Sequence, residues 1–139
     1  MPMAHTRLEE AAGLTVADVV HRRFSALPAD ATIGEVREWF AISTSRRMAF
    51  LADDGRYVGS LSRDEVGSDL DPAAPAADVA HAGPTVLPEA PASEGEQLAL
   101  GTDARRVAVV DRDGRLLGVV SVTEDLRAFC GTGDAPGDC

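Results

Sequence analysis

The chain has 139 residues, of which 45% are hydrophobic, and a formal charge of −10. That is enough apolar material for one compact unit or two small halves packed together, while the acidic balance excludes general nucleic-acid binding, which relies on positive charge to displace counterions. No apolar run approaches the roughly 20 residues of a membrane span, and all 13 basic residues are arginine, so no phosphate loop ending in lysine can be built.

The opening residues, "MPMAHTRLEE", lack the basic-then-apolar pattern of a secretory signal. Both cysteines come late, at Cys130 and Cys139, which predicts free tail thiols rather than a disulfide framework. Together these features predict an intracellular, cytoplasmic protein.

Residues 1–13 read as an N-terminal extension. "ADVVHRRFSALP" (17–28) then predicts a short helix followed by a short strand. Thr32 and Glu35 stand three apart, the capping-box spacing, and Ile33, Val36 and Phe40 follow at helical spacing with Trp39 beside them. "RRMAFLADDGRYVGSLS" (46–62) predicts a β-hairpin. In it, Asp54-Gly55 supplies the turn, and Gly59 marks a point where another group approaches the strand. Ser62 and Glu65 predict a second capped helix, and the proline-rich "GSDLDPAAPA" (67–76) predicts a linker.

The chain then repeats itself. "ADVAHAGPTVLP" (77–88) matches residues 17–28 at an offset of 60, and "RRVAVVDRDGRLLGVVS" (105–121) matches residues 46–62 at an offset of 59. Of those 17 hairpin positions, eight are identical and six exchange one apolar residue for another, which is too regular for coincidence. Between the two stretches, Ser93 and Glu96 offer a cap for a helix whose apolar face thins to Leu98 and Leu100, so this helix is expected to be shorter than its counterpart. Ser121 and Glu124 again predict a capped helix, and Gly118 stands where Gly59 stood. The tail after Cys130, residues 131–139, is short and polar.

Two copies of helix–strand–helix–strand–strand–helix, carried by "ADV" ahead of "LP", an Arg-Arg pair before an apolar strand, and "DGRLLGVVS" running into a helix, resemble the cystathionine-β-synthase-type (CBS) domain pair, or Bateman module. The resemblance implies an α+β fold of two tandem CBS repeats, residues 14–70 and 71–130, each a small three-stranded sheet with helices, packed about a pseudo-twofold axis. It also implies a regulatory, non-catalytic module with inter-repeat clefts for AMP, ADP, ATP or S-adenosylmethionine, and association into a homodimer. In the family pattern a Gly, a strand end, a Thr or Ser and then an acid contact the nucleotide. Here these map onto Gly59, Ser62 and Glu65, and onto Gly118, Ser121 and Glu124, with Asp125 directly after. Both acids are Glu where the family more often has Asp.

Around that pattern, Arg63 and Arg106 are candidate phosphate contacts. Ser25 (within Phe24–Leu27), Thr85 and the small residues Ala49 and Ala108 are candidates for the walls of an adenine slot. For each a plainer role is open: helix capping for the Ser/Glu pairs, ion pairing for the arginines and core packing for the slot residues. His21 and His81 recur at equivalent places without a third ligand at metal-binding spacing, so no metal is expected. No catalytic motif occurs. The expectation is a stand-alone sensor of an adenosine compound that acts through an effector protein still to be identified, with a ligand-free interaction or dimerisation module as the alternative.

Overall fold

The computed structural model describes residues 5–130 except 23, 25 and 45. In chain order it forms β1 (His5–Arg7), α1 (Val16–Val19), β2 (Ala26–Pro28), α2 (Ile33–Ala41), β3 (Met48–Asp53) and β4 (Arg56–Ser62). These are followed by β5 (Thr85–Val86), α3 (Ala92–Leu100), β6 (Arg106–Val110), β7 (Leu116–Ser121) and β8 (Ala128–Cys130). Short 3-10 turns lie at Leu8–Ala11, Arg63–Val66 and Ala76–Asp78. The fold is α+β, with three-stranded sheets β2-β3-β4 and β5-β6-β7 and a small β1-β8 ribbon.

The chain divides into two compact units, residues 25–83 and residues 1–24 with 84–139. Each repeat's leading segment therefore belongs to the unit that holds the other repeat's sheet: α1 goes with β5–β7, and the turn Ala76–Asp78 with β2–β4.

In the 25–83 unit, β2 pairs parallel to β3, and β3 antiparallel to β4. The core joins Ile33, Val36 and Phe40 of α2 to Ala49, Leu51 and Leu61 of the sheet, as the helical spacing predicts. Thr32 caps α2: its hydroxyl accepts from the Glu35 N–H at 3.2 Å, and Glu35 Oε1 accepts from the Thr32 N–H at 3.1 Å. The proline-rich segment also serves the helix, because the carbonyls of Ala74 and Pro72 accept from the N–H groups of Ile33 and Gly34. Donors that a helix start leaves orphaned are thus satisfied by the chain's own linker.

In the other unit, α1 and α3 cover one face of β5-β6-β7, burying Val16, Val19, Ala92, Ala99, Val107, Val109, Val120, Val122 and Phe129. The cap expected at Ser93 and Glu96 does not form. Instead α3 starts at Ala92 with Pro91 at the N-cap, and at nine residues it equals α2 rather than being shorter. Its buried stripe is Ala92, Gly95 and Ala99, residues that a count of large apolar side chains passes over. Small size is what the site requires, since a Cβ on Gly95 would lie 3.2 Å from Val16 Cγ2.

The helix expected after Ser121 is also absent. Residues 123–126 turn instead, with Leu126 at φ 61°, and the chain returns as β8 to pair with β1. Val122 and Phe129 face each other across this turn and are both buried in the core. Two large apolar side chains stay buried in this way, and a β-branched Val-Thr start is a poor helix former. Cys130 is disulfide-bonded, against the expectation of free thiols; the other cysteine, Cys139, lies outside the described residues.

The two hairpins differ by one residue. In the first, Asp53 pairs with Arg56 around a two-residue Asp54-Gly55 turn whose residues have φ of 50° and 83°. In the second, Asp111 N–H donates to Arg115 O around a three-residue loop, and Asp111 Oδ1 accepts from the N–H groups of Asp113 and Arg115. A one-residue shift turns every side chain to the opposite sheet face. Ala49 lies opposite Leu61 and faces the core, whereas Ala108 lies opposite Val119 on the outer face, and Val107 takes the core position opposite Val120.

Candidate functional site

The glycine before each candidate hydroxyl has a packing role. His21 and Val119 exchange backbone hydrogen bonds of 2.9 and 3.0 Å, and His81 and Ser60 exchange bonds of 3.2 and 2.9 Å. The segment that crosses each strand in this way presses on the adjacent glycine. A Cβ on Gly118 would lie 2.5 Å from Val20 Cγ2 and 2.6 Å from His21 O, and one on Gly59 would lie 3.2 Å from His81 O. The close approach expected from sequence is thus made by the chain itself.

At the end of β4 the anticipated cap forms on the Arg63–Val66 turn, where Glu65 Oε1 accepts from the Ser62 N–H at 2.8 Å. The second oxygen of the same carboxylate, Oε2, lies 2.6 Å from His81 Nε2. Partial burial pushes the Glu65 carboxyl up, but the Ser62 N–H, the His81 imidazole and the Ser62 hydroxyl outweigh it and hold the group below its ordinary value. Arg63 is engaged by the main chain. Its guanidinium donates to the carbonyls of Phe40, Ser43 and Arg46 at 2.7–3.2 Å and stands 5.0 Å from the Phe40 ring centre.

At the end of β7 the corresponding groups are arranged differently. Ser121 is 1% exposed, and its hydroxyl has no hydrogen-bond partner among the described residues. Register places Ser121 directly opposite Arg106, which is 6% exposed and donates from Nη1 to Ala104 O at 2.6 Å. One step along the same outer face, Thr85, Ala108 and Val119 form a row across the three strands. Four of the anticipated residues, Thr85, Ala108, Arg106 and Ser121, thus share one sheet face in one unit.

Glu124 and Asp125 are exposed on the turn that replaces the helix. Asp125 Oδ1 accepts from the Thr123 hydroxyl at 2.6 Å and from the Arg127 N–H at 3.1 Å, and these bonds hold its carboxyl below the ordinary range. Ala49 is buried in the core of the 25–83 unit, away from the role of slot wall, and Ser25 lies outside the described residues.

A family model of the CBS domain matches residues 76–124. Solved CBS pairs superpose on more of the chain. The CBS pair domain of a putative Mg2+ transporter from Shewanella oneidensis aligns at TM-score 0.69 and 15% identity, over 77% of this chain and 64% of that one. The chain folds as a CBS-domain pair. The CBS-pair protein CBSX2 from Arabidopsis thaliana aligns at TM-score 0.67 and 19% identity, over 77% of this chain and 87% of its own. A CBS domain protein from Pyrobaculum aerophilum, solved in complex with AMP, aligns at TM-score 0.67 and 29% identity, covering 78% and 87%. No curated protein sequence matches.

Elsewhere in this CBS pair, a cavity of about 540 Å³ opens between the Leu8–Ala11 turn and the start of α3, lined among others by Leu14, Thr15, Glu89 and Glu96. It shares no residue with the Ser121 face. Among the described residues no group of three or more metal-ligating side chains comes together, and no helix is long and apolar enough to cross a membrane.

Proposed function

We propose that the chain is a regulatory CBS pair whose β5-β6-β7 outer face takes an adenosine nucleotide, with Ser121 and Arg106 meeting phosphate and with Thr85 and Ala108 beside the base. The observation that carries this reading is the Ser121 hydroxyl. A buried polar group left without a partner costs about 1–3 kcal/mol, so a phosphate oxygen accepting from this hydroxyl would recover that cost. A guanidinium directly across the strand supplies the positive charge that an otherwise acidic protein needs to hold an anion. AMP in the Pyrobaculum relative supports the adenosine class. Because the hydroxyl is closed off from solvent, binding requires this face to open, and association is slower than a simple encounter. The output then passes to an effector protein or through a homodimer of this module, to the extent that the ligand prefers one conformation over another.

A second reading, an interaction module without a ligand, is favoured by the acids. Glu65 is engaged by Ser62 and His81, and Asp125 by its own turn.

Thermal unfolding against AMP, ADP, ATP, S-adenosylmethionine and adenosine separates the two readings. A ligand at 100 times its Kd adds about 2.7 kcal/mol, several degrees for a domain of this size. A shift with one compound that is lost in Ser121→Ala supports the nucleotide reading. A folded protein indifferent to all five refutes it in favour of the interaction module.

A further inference from the structure

We infer that His81 is a built-in occupant of the first repeat's acidic position: its imidazole takes the carboxylate of Glu65 that a ribose would otherwise use, so the two repeats are unequal and the first is closed to nucleotide. The inference rests on the adenosine reading and deepens it by naming the residue that sets how many ligands bind.

His81 is placed by contacts that do not involve Glu65. Its backbone exchanges two hydrogen bonds with Ser60, and the Tyr57 hydroxyl donates to the next carbonyl, Ala82 O, at 2.6 Å. The side chain is 58% exposed, so little packing orients it; what it meets is Glu65 Oε2 at 2.6 Å. Because Oε1 already accepts from the Ser62 N–H, both oxygens of the carboxylate are engaged within the chain. A ribose diol needs the same two oxygens and would have to displace the imidazole. The sequence-equivalent histidine, His21, stands in a different setting. It is 3% exposed, whereas His81 is largely open to solvent.

Isothermal titration with AMP tests this in the wild-type chain, in His81→Ala and in Glu65→Asp. The shorter acid draws the carboxylate away from the imidazole while keeping a capping pattern that Thr15 and Asp18 already form elsewhere in the chain. The expected result is one AMP per chain in the wild type and two in each variant. Wild-type binding with the count and affinity unchanged in both variants overturns the inference and leaves the adenosine reading standing. No binding in any of the three proteins overturns both. Since His81 is largely exposed and its backbone bonds survive truncation, His81→Ala should remain folded, which circular dichroism checks directly.

Discussion

Gly118→Ala gives the sharpest test of how the leading segment of the chain is locked onto β7. The new methyl would sit 2.5 Å from Val20 Cγ2 and 2.6 Å from His21 O, about 1 Å inside the ordinary contact distance on both sides. Neither neighbour yields easily. Val20 is 3% exposed and β-branched, with few rotamers to use. His21 O accepts from Val119 N–H at 3.0 Å while His21 N–H donates to Val119 O at 2.9 Å, so a retreat of 1 Å stretches both bonds past usefulness. Overpacking of this kind costs about 1–3 kcal/mol, and the two hydrogen bonds contribute about 1 kcal/mol each. Against this, replacing glycine removes unfolded-chain freedom worth about 0.4–1 kcal/mol. The net loss is about 3 kcal/mol.

Gly59→Ala is the matched control. Its added carbon would meet His81 O at 3.2 Å and Ala80 Cβ at 3.3 Å, distances relieved by shifts of a few tenths of an ångström. Overpacking and entropy then nearly cancel, and the net effect is within about 1 kcal/mol. Urea unfolding followed by circular dichroism reads the difference. With a slope of about 2 kcal/mol per molar urea, Gly118→Ala should lower the midpoint by about 1.5 M and Gly59→Ala by less than about 0.5 M. Equal midpoints for the two variants would falsify the claim that the crossing at β7 is the tighter one.

Two further predictions concern the candidate sites. Without ligand, Ser121→Ala removes a buried hydroxyl that has no partner among the described residues, so it should leave stability unchanged or raise it by about 1 kcal/mol, roughly 3 °C in Tm; a loss of that size would mean the hydroxyl is bonded in solution. Glu65 has its folded pKa depressed, so its stabilisation is present above the unfolded value and is lost as pH falls through the folded one. The Tm of the wild type should therefore exceed that of Glu65→Gln near neutral pH, with the two curves converging below about pH 4; a constant gap down to about pH 3 would refute the assignment.

The repeat, the first hairpin, the α2 cap and the close approach at both glycines were all legible in the sequence because each depends on local chemistry. Asp-Gly turns, a Thr-x-x-Glu cap and strand alternation act over a few residues and recur wherever those residues do. What was not legible depended on competition between distant parts. The helix start at Ser121 lost to the burial of Val122 against Phe129 and the pairing of β8 with β1, a contact between the two ends of the described chain. The start of α3 moved forward to Pro91 because the Ala92 N–H finds Leu14 O at 2.9 Å, a partner from the opposite end of the sequence. Likewise, nothing in "DVAHAG" announces that His81 will reach Glu65. That pairing follows from the backbone exchange with Ser60, which no local pattern encodes.

The hairpin shows how a near-perfect repeat can still build two different surfaces. Aligned residue by residue, Ala49 equals Ala108 and the Arg46-Arg47 pair equals Arg105-Arg106. Asp111 breaks that equality. Its carboxylate accepts from the Asp113 and Arg115 N–H groups and thereby stabilises a three-residue loop, whereas Ala52, at its place in the first copy, offers no acceptor and the Asp54-Gly55 turn closes one residue tighter. The extra loop residue is taken from the incoming strand, so β6 slides by one against β7. Arg106 comes to lie opposite Ser121, in the place that Met48 holds opposite Ser62, and Ala108 moves to the outer face where Phe50 stands in the first copy. A guanidinium and a small residue thus replace a thioether and a benzyl ring on equivalent faces. The Asp111 loop thus sets a guanidinium opposite the buried serine of the second copy, where the first copy sets a thioether, and this is the physical reason to look for a phosphate contact at Ser121 rather than at Ser62.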